Sequence, residues 1–203
     1  MAKTAPVWTR HLLVLSGLTG AALVGCAGRG SDKGPLVSSG AAAASRGLSN
    51  ATWQACVPTG PERCFDARDD NCNGVIDEGC GVRTGIVDFQ IAWSAPTADV
   101  DLLVTDPRGE LVEVGRPSAA GLVKERDCPG RKQECKGVNL ENVYLDRSEA
   151  KRGRYKVRIR LERLDGEDAP IHVTFGARVG PKVYSAEIDL TRPEDQKDLV
   201  FEL

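Results

Sequence analysis

The sequence predicts an all-β protein, an antiparallel β-sandwich or jelly-roll-like domain preceded by a small disulfide-stapled calcium-loop module. Three observations carry this. From Thr84 onward, apolar residues recur with a period of two in short runs separated by turn signals. No long stretch shows the competing 3.6-residue period. Four cysteines, Cys56, Cys64, Cys72 and Cys80, precede that region in a polar stretch with few large apolar residues.

The strands follow in order. Val87, Phe89, Ile91 and Trp93 alternate with Asp88, Gln90 and Ala92, which reads as a strand with one buried face. Val100, Leu102 and Val104 alternate with Asp99, Asp101 and Leu103. Asp106-Pro107-Arg108-Gly109 is a turn, and Leu111, Val112 and Val114 are expected to begin the return. Asn139–Leu145 is a weaker strand candidate. Tyr155, Val157, Ile159 and Leu161 alternate with Lys156, Arg158, Arg160 and Glu162, the clearest strand pattern in the chain. Further runs fall at Ile171–Val179, at Tyr184–Leu190 and at Leu199–Leu203. About eight short strands with turns between them point to a sandwich over residues 84–203. Aromatics make up only 5% of the 203 residues, so the core must be mostly aliphatic, and 22 glycines suit a fold with many turns.

The N-terminus has the marks of a targeting segment. Lys3 and Arg10 precede a short apolar run, Leu12 to Val24, which ends in Leu23-Val24-Gly25-Cys26. The run is too short for a comfortable membrane span. The tetrapeptide resembles a bacterial lipobox, which implies a lipoprotein signal peptide over 1–25 and acylation of Cys26. Several acyl chains on one residue give stable anchoring, whereas one alone is marginal. Ala27, not Asp, follows the cysteine, and the resemblance to sorted lipoproteins then implies the outer membrane of a bacterial cell envelope, facing the periplasm or the surface. Residues 26–50 are rich in Gly, Ser and Ala and are expected to form a flexible tether.

Residues 51–83 form the cysteine module. It has too little apolar surface to fold without staples or a metal. Within it, Cys64 to Cys80 reads CFDARDDNCNGVIDEGC. Asp69, Asn71 and Asn73 fall on alternate residues and Gly74 stands at the sharp turn, the start of a calcium loop of the D-x-[DN]-x-[DN]-G kind. Asp77 and Glu78 follow, while the twelfth position is Cys80 instead of a bidentate Glu. Calcium takes six to eight oxygens, and this loop offers mostly oxygens. The expected ligands are Asp69, Asn71, Asn73, the Val75 carbonyl, Asp77 and Glu78, and the expected cofactor is Ca²⁺. The stretch resembles the cysteine-bracketed metal-binding motif of MopE-type bacterial surface proteins and, more distantly, thrombospondin type 3 calcium repeats. Ala67 stands where that motif usually has Gly.

Seven cysteines suit an exported protein. With Cys26 lipidated, six remain for disulfides. Cys128 and Cys135 are close together and isolated, so they should pair. In the module the expected pairing is nested, Cys64 with Cys72 and Cys56 with Cys80. Neither the spacing of zinc ribbons nor a redox C-x-x-C occurs.

Trp93, the run Asp99 to Gly109, Glu141-Asn142-Val143-Tyr144 and Gly153-Arg154-Tyr155-Lys156-Val157 resemble the YfaP-like bacterial β-sandwich domain. The Gly115–Gly137 insert departs from it. That resemblance supports the fold and implies no activity.

Catalytic material is sparse. His11 lies in the signal and His172 alternates out of register with Ile171 and Val173, so it should face outward. No G-x-S-x-G, H-E-x-x-H or phosphate-binding loop occurs. Asp99, Asp101 and Asp106 could gather at a strand end, but a solvated face plus an Asp-Pro turn accounts for them. The basic stripe Lys156, Arg158 and Arg160 could meet a polyanion, but it is better read as a strand's solvated face. A formal charge of -2 gives no field for nucleic acid. The expectation is a non-enzymatic, lipid-anchored structural or binding module. A recognition module for polysaccharide or a partner protein is the main alternative, and a hydrolase is a minor one.

Overall fold

The computed structural model describes residues 51–129, 135 and 137–203, without the side chains of 51–53. The expected signal peptide, Cys26 and the expected tether lie outside the described residues, as does part of the Gly115–Gly137 insert. The described residues contain nine strands and no helix: β1 (Ala51–Gln54), β2 (Val87–Trp93), β3 (Asp99–Thr105), β4 (Val123–Lys124), β5 (Leu140–Tyr144), β6 (Arg154–Arg163), β7 (Ile171–Val179), β8 (Lys182–Leu190) and β9 (Gln196–Glu202). They form a six-stranded sheet in the order β1-β8-β7-β2-β5-β4 and a three-stranded sheet in the order β3-β6-β9. All strand pairings are antiparallel.

Alternation decides which side chains enter the core. Val87, Phe89 and Ile91 of β2, Val173, Phe175 and Ala177 of β7, and Ala186, Ile188 and Leu190 of β8 point inward from one sheet. Val100, Leu102 and Val104 of β3, Tyr155, Val157, Ile159 and Leu161 of β6, and Leu199 and Phe201 of β9 meet them from the other. Aliphatic residues dominate, but Phe201 sits at an aromatic centre, its ring 5.4 Å from Phe89, 6.0 Å from Phe175 and 5.2 Å from Tyr184. Such tilted contacts add to the stability that burial alone supplies. On β6, Lys156 and Arg158 are exposed between buried neighbours, as the period of two requires.

β2 is the instructive exception. All seven of its residues are buried, although Asp88 and Gln90 are polar. The cysteine module lies on the outer face of the six-stranded sheet and covers them. Ala67, Val82, Ala92 and Leu140 form a second, smaller core there, with Phe65 packed against it. The close approach depends on Gly176 of β7, where a Cβ would lie 2.2 Å from the Ala67 carbonyl oxygen.

Several expectations need correction. Leu111–Val114 is not a strand: Leu111 and Val114 make only isolated bridges and are exposed. The turn before them is real, with Gly109 at φ 86° donating its N–H to the Asp106 carbonyl. β4, only two residues long, carries no readable period. β1, at the start of the module, instead pairs with β8 and belongs to the six-stranded sheet. The nested disulfide pairing is also replaced. Cys56 bonds Cys72 and Cys64 bonds Cys80, an interleaved arrangement, while Cys128 bonds Cys135.

Between the sheets, Glu141 of β5 ties three segments. Its carboxylate accepts the N–H of Leu102 on β3 at 2.7 Å and of Cys128 at 3.0 Å, and it pairs with Lys124 of β4 at 2.9 Å.

Candidate metal centre

The loop is built by side chains that bond the backbone just ahead of them. Asp69 accepts the N–H of Asn73 on one carboxylate oxygen at 3.0 Å and of Gly74 on the other at 2.8 Å. The Asn71 Oδ1 also accepts the Asn73 N–H, at 2.9 Å, and the Asn73 Oδ1 accepts the Val75 N–H at 2.9 Å. These Asx-type turns are local and need no distant partner. They wind the chain so that the Asn71 and Asn73 amides both reach Glu78. Gly74 takes φ 92° and Cys72 takes φ 59°, which tightens the curl. The interleaved disulfides then tether Cys72 to Cys56 and Cys80 to Cys64.

Glu78 closes the site. Its Oε1 accepts the Asn71 amide at 2.5 Å and also the Asn73 amide. Its Oε2 is buried and has no partner. Burial opposes charge on Glu78, but the amides of Asn71 and Asn73 outweigh it and hold its pKa below the usual range. Glu62, which sequence reasoning missed, stands beside it. The two carboxylates act on each other electrostatically. Burial first, and then the Glu78 charge, push Glu62 up to about 7. Glu62 also accepts the N–H of Asp70 at 3.1 Å and of Asp77 at 2.8 Å, so it pins both halves of the loop. No sequence signal marks it, because it precedes Cys64 and lies outside the alternating acid–amide run.

Asp77 has a different position from the other expected ligands. It is wholly buried, and its carboxylate accepts three successive backbone N–H groups, from Phe65 at 2.5 Å, Asp66 at 3.3 Å and Ala67 at 3.0 Å. Burial pushes it up to about 6 against those hydrogen bonds. Three N–H groups converging on one carboxylate require an unusual backbone, and Phe65 and Ala67 both take positive φ. The missing Gly at position 67 is thus tolerated by a strained Ala that Asp77 holds in place. Asp70 is also occupied: Arg63 and Thr59 bond it, and Arg63 holds its pKa down.

The structure joins Asn71, Asn73 and Glu78 directly and sets Asp69 and Glu62 against the backbone of the same loop, although the carboxylates of Glu62, Asp69 and Glu78 do not gather at one point as those of Asp101, Asp127 and Glu141 do. Each side chain carries an oxygen: Glu78 Oε1 is taken up by the Asn71 and Asn73 amides, whose own oxygens accept backbone N–H groups, while Glu78 Oε2 and the two Asp69 carboxylate oxygens keep free lone pairs. Such a set fits a hard cation. Residues 52–78 contain no histidine, and their cysteines are spent in disulfides, so no imidazole or thiolate is offered to a softer metal.

The other acidic groups are neutralised from within. Asp101, Asp127 and Glu141 gather near one point. Lys124 meets Asp127 at 2.7 Å and Glu141 at 2.9 Å, and Arg160 meets Asp101 at 3.0 Å, so side-chain cations already fill that cluster. Asp99 pairs with Arg163 at 2.6 Å. Asp106 accepts the N–H groups of Arg108, Glu110 and Ala120 and caps its turn. Asp99, Asp101 and Asp106 therefore do not form a common site. In the basic stripe Arg158 meets Asp198 at 2.7 Å and Arg160 meets Asp101 at 3.0 Å. His172 faces outward and pairs with Asp189 at 2.6 Å.

No curated protein and no solved structure matches the chain. Residues 52–78 match a family model, named for copper binding in MopE, whose description is "Putative metal-binding motif". The match covers well under half of the chain and coincides with the module that holds Glu62, Asp69, Asn71, Asn73 and Glu78, so over this span the protein is similar to MopE-type metal-binding motifs.

Proposed function

We propose that the cysteine module binds one Ca²⁺ and that the protein is a non-catalytic, lipid-anchored module of the bacterial cell envelope. The observation that supports this most directly is the placing of Glu62, Asp69, Asn71, Asn73 and Glu78 around one disulfide-stapled loop, with Asn71 and Asn73 bonded to Glu78. The Glu78 charge opposes ionisation of Glu62, and a nearby cation relieves that opposition. A cation there lets both ionise, and it draws the oxygens of Asp69, Asn71 and Asn73 and the Val75 carbonyl inward. Asp77 organises the turn from behind. Calcium suits an irregular all-oxygen shell, whereas magnesium demands tighter octahedral geometry. The ion's role is structural, since the module contributes only a small apolar core to its contact with the sheet. The Leu23-Val24-Gly25-Cys26 signature and the tether support outer-membrane anchoring through acylated Cys26.

A recognition role for polysaccharide or a partner protein is the second reading. A cleft between the module and β8, lined by Arg63, Arg68, Ile76, Val183 and Ser185 among others, supports it. Its volume of 210 Å³ is below the roughly 300–1,000 Å³ of small-molecule sites. The large apolar residues exposed among those described are Val57, Leu111 and Val114, none aromatic. The structural reading is therefore preferred. Calcium titration of wild type against Asp69→Ala tests it. At least tenfold weaker binding in the variant supports the reading, and equal affinity refutes it.

A further inference from the structure

We propose that Lys124 and Glu141 become joined by an intramolecular isopeptide bond, formed as the chain folds by condensation of the Lys124 ε-amine with the Glu141 side-chain carboxyl. Both side chains are buried, Lys124 on β4 at 6% exposure and Glu141 on β5 at 1%. The Lys124 Nζ lies 2.9 Å from the Glu141 Oε2 and 2.7 Å from the Asp127 Oδ1. One nitrogen is thus held against a buried carboxyl and against a second carboxylate that is half exposed. Backbone donors meet the same carboxyl: the Leu102 N–H is given to its Oε2 and the Cys128 N–H to its Oε1.

The balance of charge sets the form of each group. Asp101, Asp127 and Glu141 gather at one point, with carboxylate oxygens within 4.8 Å of one another. Lys124 and Arg160 are the cations that meet them, and Arg160 is shared with Glu162. Three acids therefore face fewer cations. Glu141 is the wholly buried one, so it is the acid that stays protonated, and burial pushes its pKa up to about 8. A protonated carboxyl is open to attack by an amine, whereas a carboxylate is not. Burial also opposes charge on Lys124, but the Glu141 and Asp127 carboxylates outweigh it and hold its pKa above the usual value. Once Glu141 is protonated that support falls to Asp127 alone, which is also placed to accept the Lys124 proton.

Asp127 takes one proton from the Lys124 ammonium, and the free amine attacks the Glu141 carboxyl carbon to form the C–N bond. The Leu102 and Cys128 N–H groups stabilise the negative charge that develops on the carboxyl oxygen. The C–OH bond then breaks, and the hydroxyl leaves as water with a proton relayed by Asp127. Of the three ammonium protons, one stays on the amide nitrogen, one departs in the water and one passes from Asp127 to solvent. Holding the amine against the acid makes the condensation intramolecular, which favours the amide. The product exchanges a buried ion pair, costly to desolvate, for a neutral amide whose N–H faces Asp127. It also fixes β4, which pairs with β5 through only Val123 and Lys124.

Mass-spectrometric peptide mapping of the folded full chain, reduced and alkylated before digestion, tests this. In wild type the tryptic peptide that contains Lys124 should be joined to the one that contains Glu141, at a mass one water below their sum, and trypsin should not cleave after Lys124. Lys124→Arg keeps the cation but offers no amine, so its two peptides should separate. Separate peptides in wild type, with cleavage after Lys124, would overturn the proposal. So would a joined pair that persists in Lys124→Arg, or fragmentation that places the link between Lys124 and Asp127. If Lys124→Arg does not fold, the wild-type map still decides.

Discussion

Glu62 and Asp77 show how single residues set the chemistry of the loop. Both carboxyls are held above their ordinary pKa by burial, Glu62 at about 7 and Asp77 at about 6. A carboxyl raised in the fold favours the protonated state. Its stabilising contribution is complete below the unfolded value near pH 4 and is lost as pH rises through the folded value. Asp70, whose pKa is lowered by Arg63, acts in the opposite sense and only below about pH 4, outside that window. The metal-free protein should thus lose stability between about pH 5 and 8, and millimolar Ca²⁺ should reduce that loss by binding the ionised Glu62, leaving the share that Asp77 contributes. Thermal unfolding at pH 5 and pH 8, with calcium and with chelator, checks this. A pH trend unaffected by calcium would contradict it. Asp69→Ala removes a carboxylate that also anchors Asn73 and Gly74, so calcium binding should weaken at least tenfold, about 1.4 kcal/mol. Asp99→Ala should leave calcium binding unchanged, since Asp99 pairs with Arg163 elsewhere.

At the scale of elements, the strands were readable wherever one face meets the core and the other meets water. β6 shows the full alternation in sequence and in burial. β5 was only faintly readable, because Glu141 and Asn142 are polar yet buried, Glu141 against Lys124 and backbone N–H groups and Asn142 beneath the module. Their partners are distant in sequence, and no local period reports them. The same limit applies to Glu62, which reaches Asp77 across the loop, and to the disulfide connectivity, which depends on how the loop curls. The Asp69–Asn71–Asn73–Gly74 run was legible because its hydrogen bonds are local. Two substitutions probe these element contacts. Gly176→Ala puts a methyl group against the Ala67 carbonyl and should lift the module from β7, destabilising the fold by about 1–3 kcal/mol with the sandwich spectrum retained. Glu141→Gln leaves Lys124 without its buried partner and weakens the link from β5 to β3. It should cost about 3–5 kcal/mol in denaturant unfolding. A loss under about 1 kcal/mol would show that Asp127 alone satisfies Lys124.

For the whole molecule, the module and the sandwich are one structural argument. β1 is stitched to β8, the Gln90 amide bonds the Ile76 carbonyl, and Arg68 pairs with Glu187. An ion that orders the loop thereby orders the cover over the six-stranded sheet. The expected tether and the proposed acyl anchor at Cys26 would carry this unit at a membrane. Cys26→Ser should release it from the detergent phase, and unchanged partitioning would remove the anchor from the account. The central claim is the calcium loop, and calorimetric titration of the oxidised protein with Ca²⁺ tests it most directly. The expected result is binding in the range of about 10⁻⁴ to 10⁻³ M, since the loop lacks the bidentate Glu of a tight site, with Asp69→Ala at least tenfold weaker. No binding heat at millimolar calcium, or equal affinity in Asp69→Ala, would show that Glu62, Asp69, Asn71, Asn73 and Glu78 form only a stapled acidic turn.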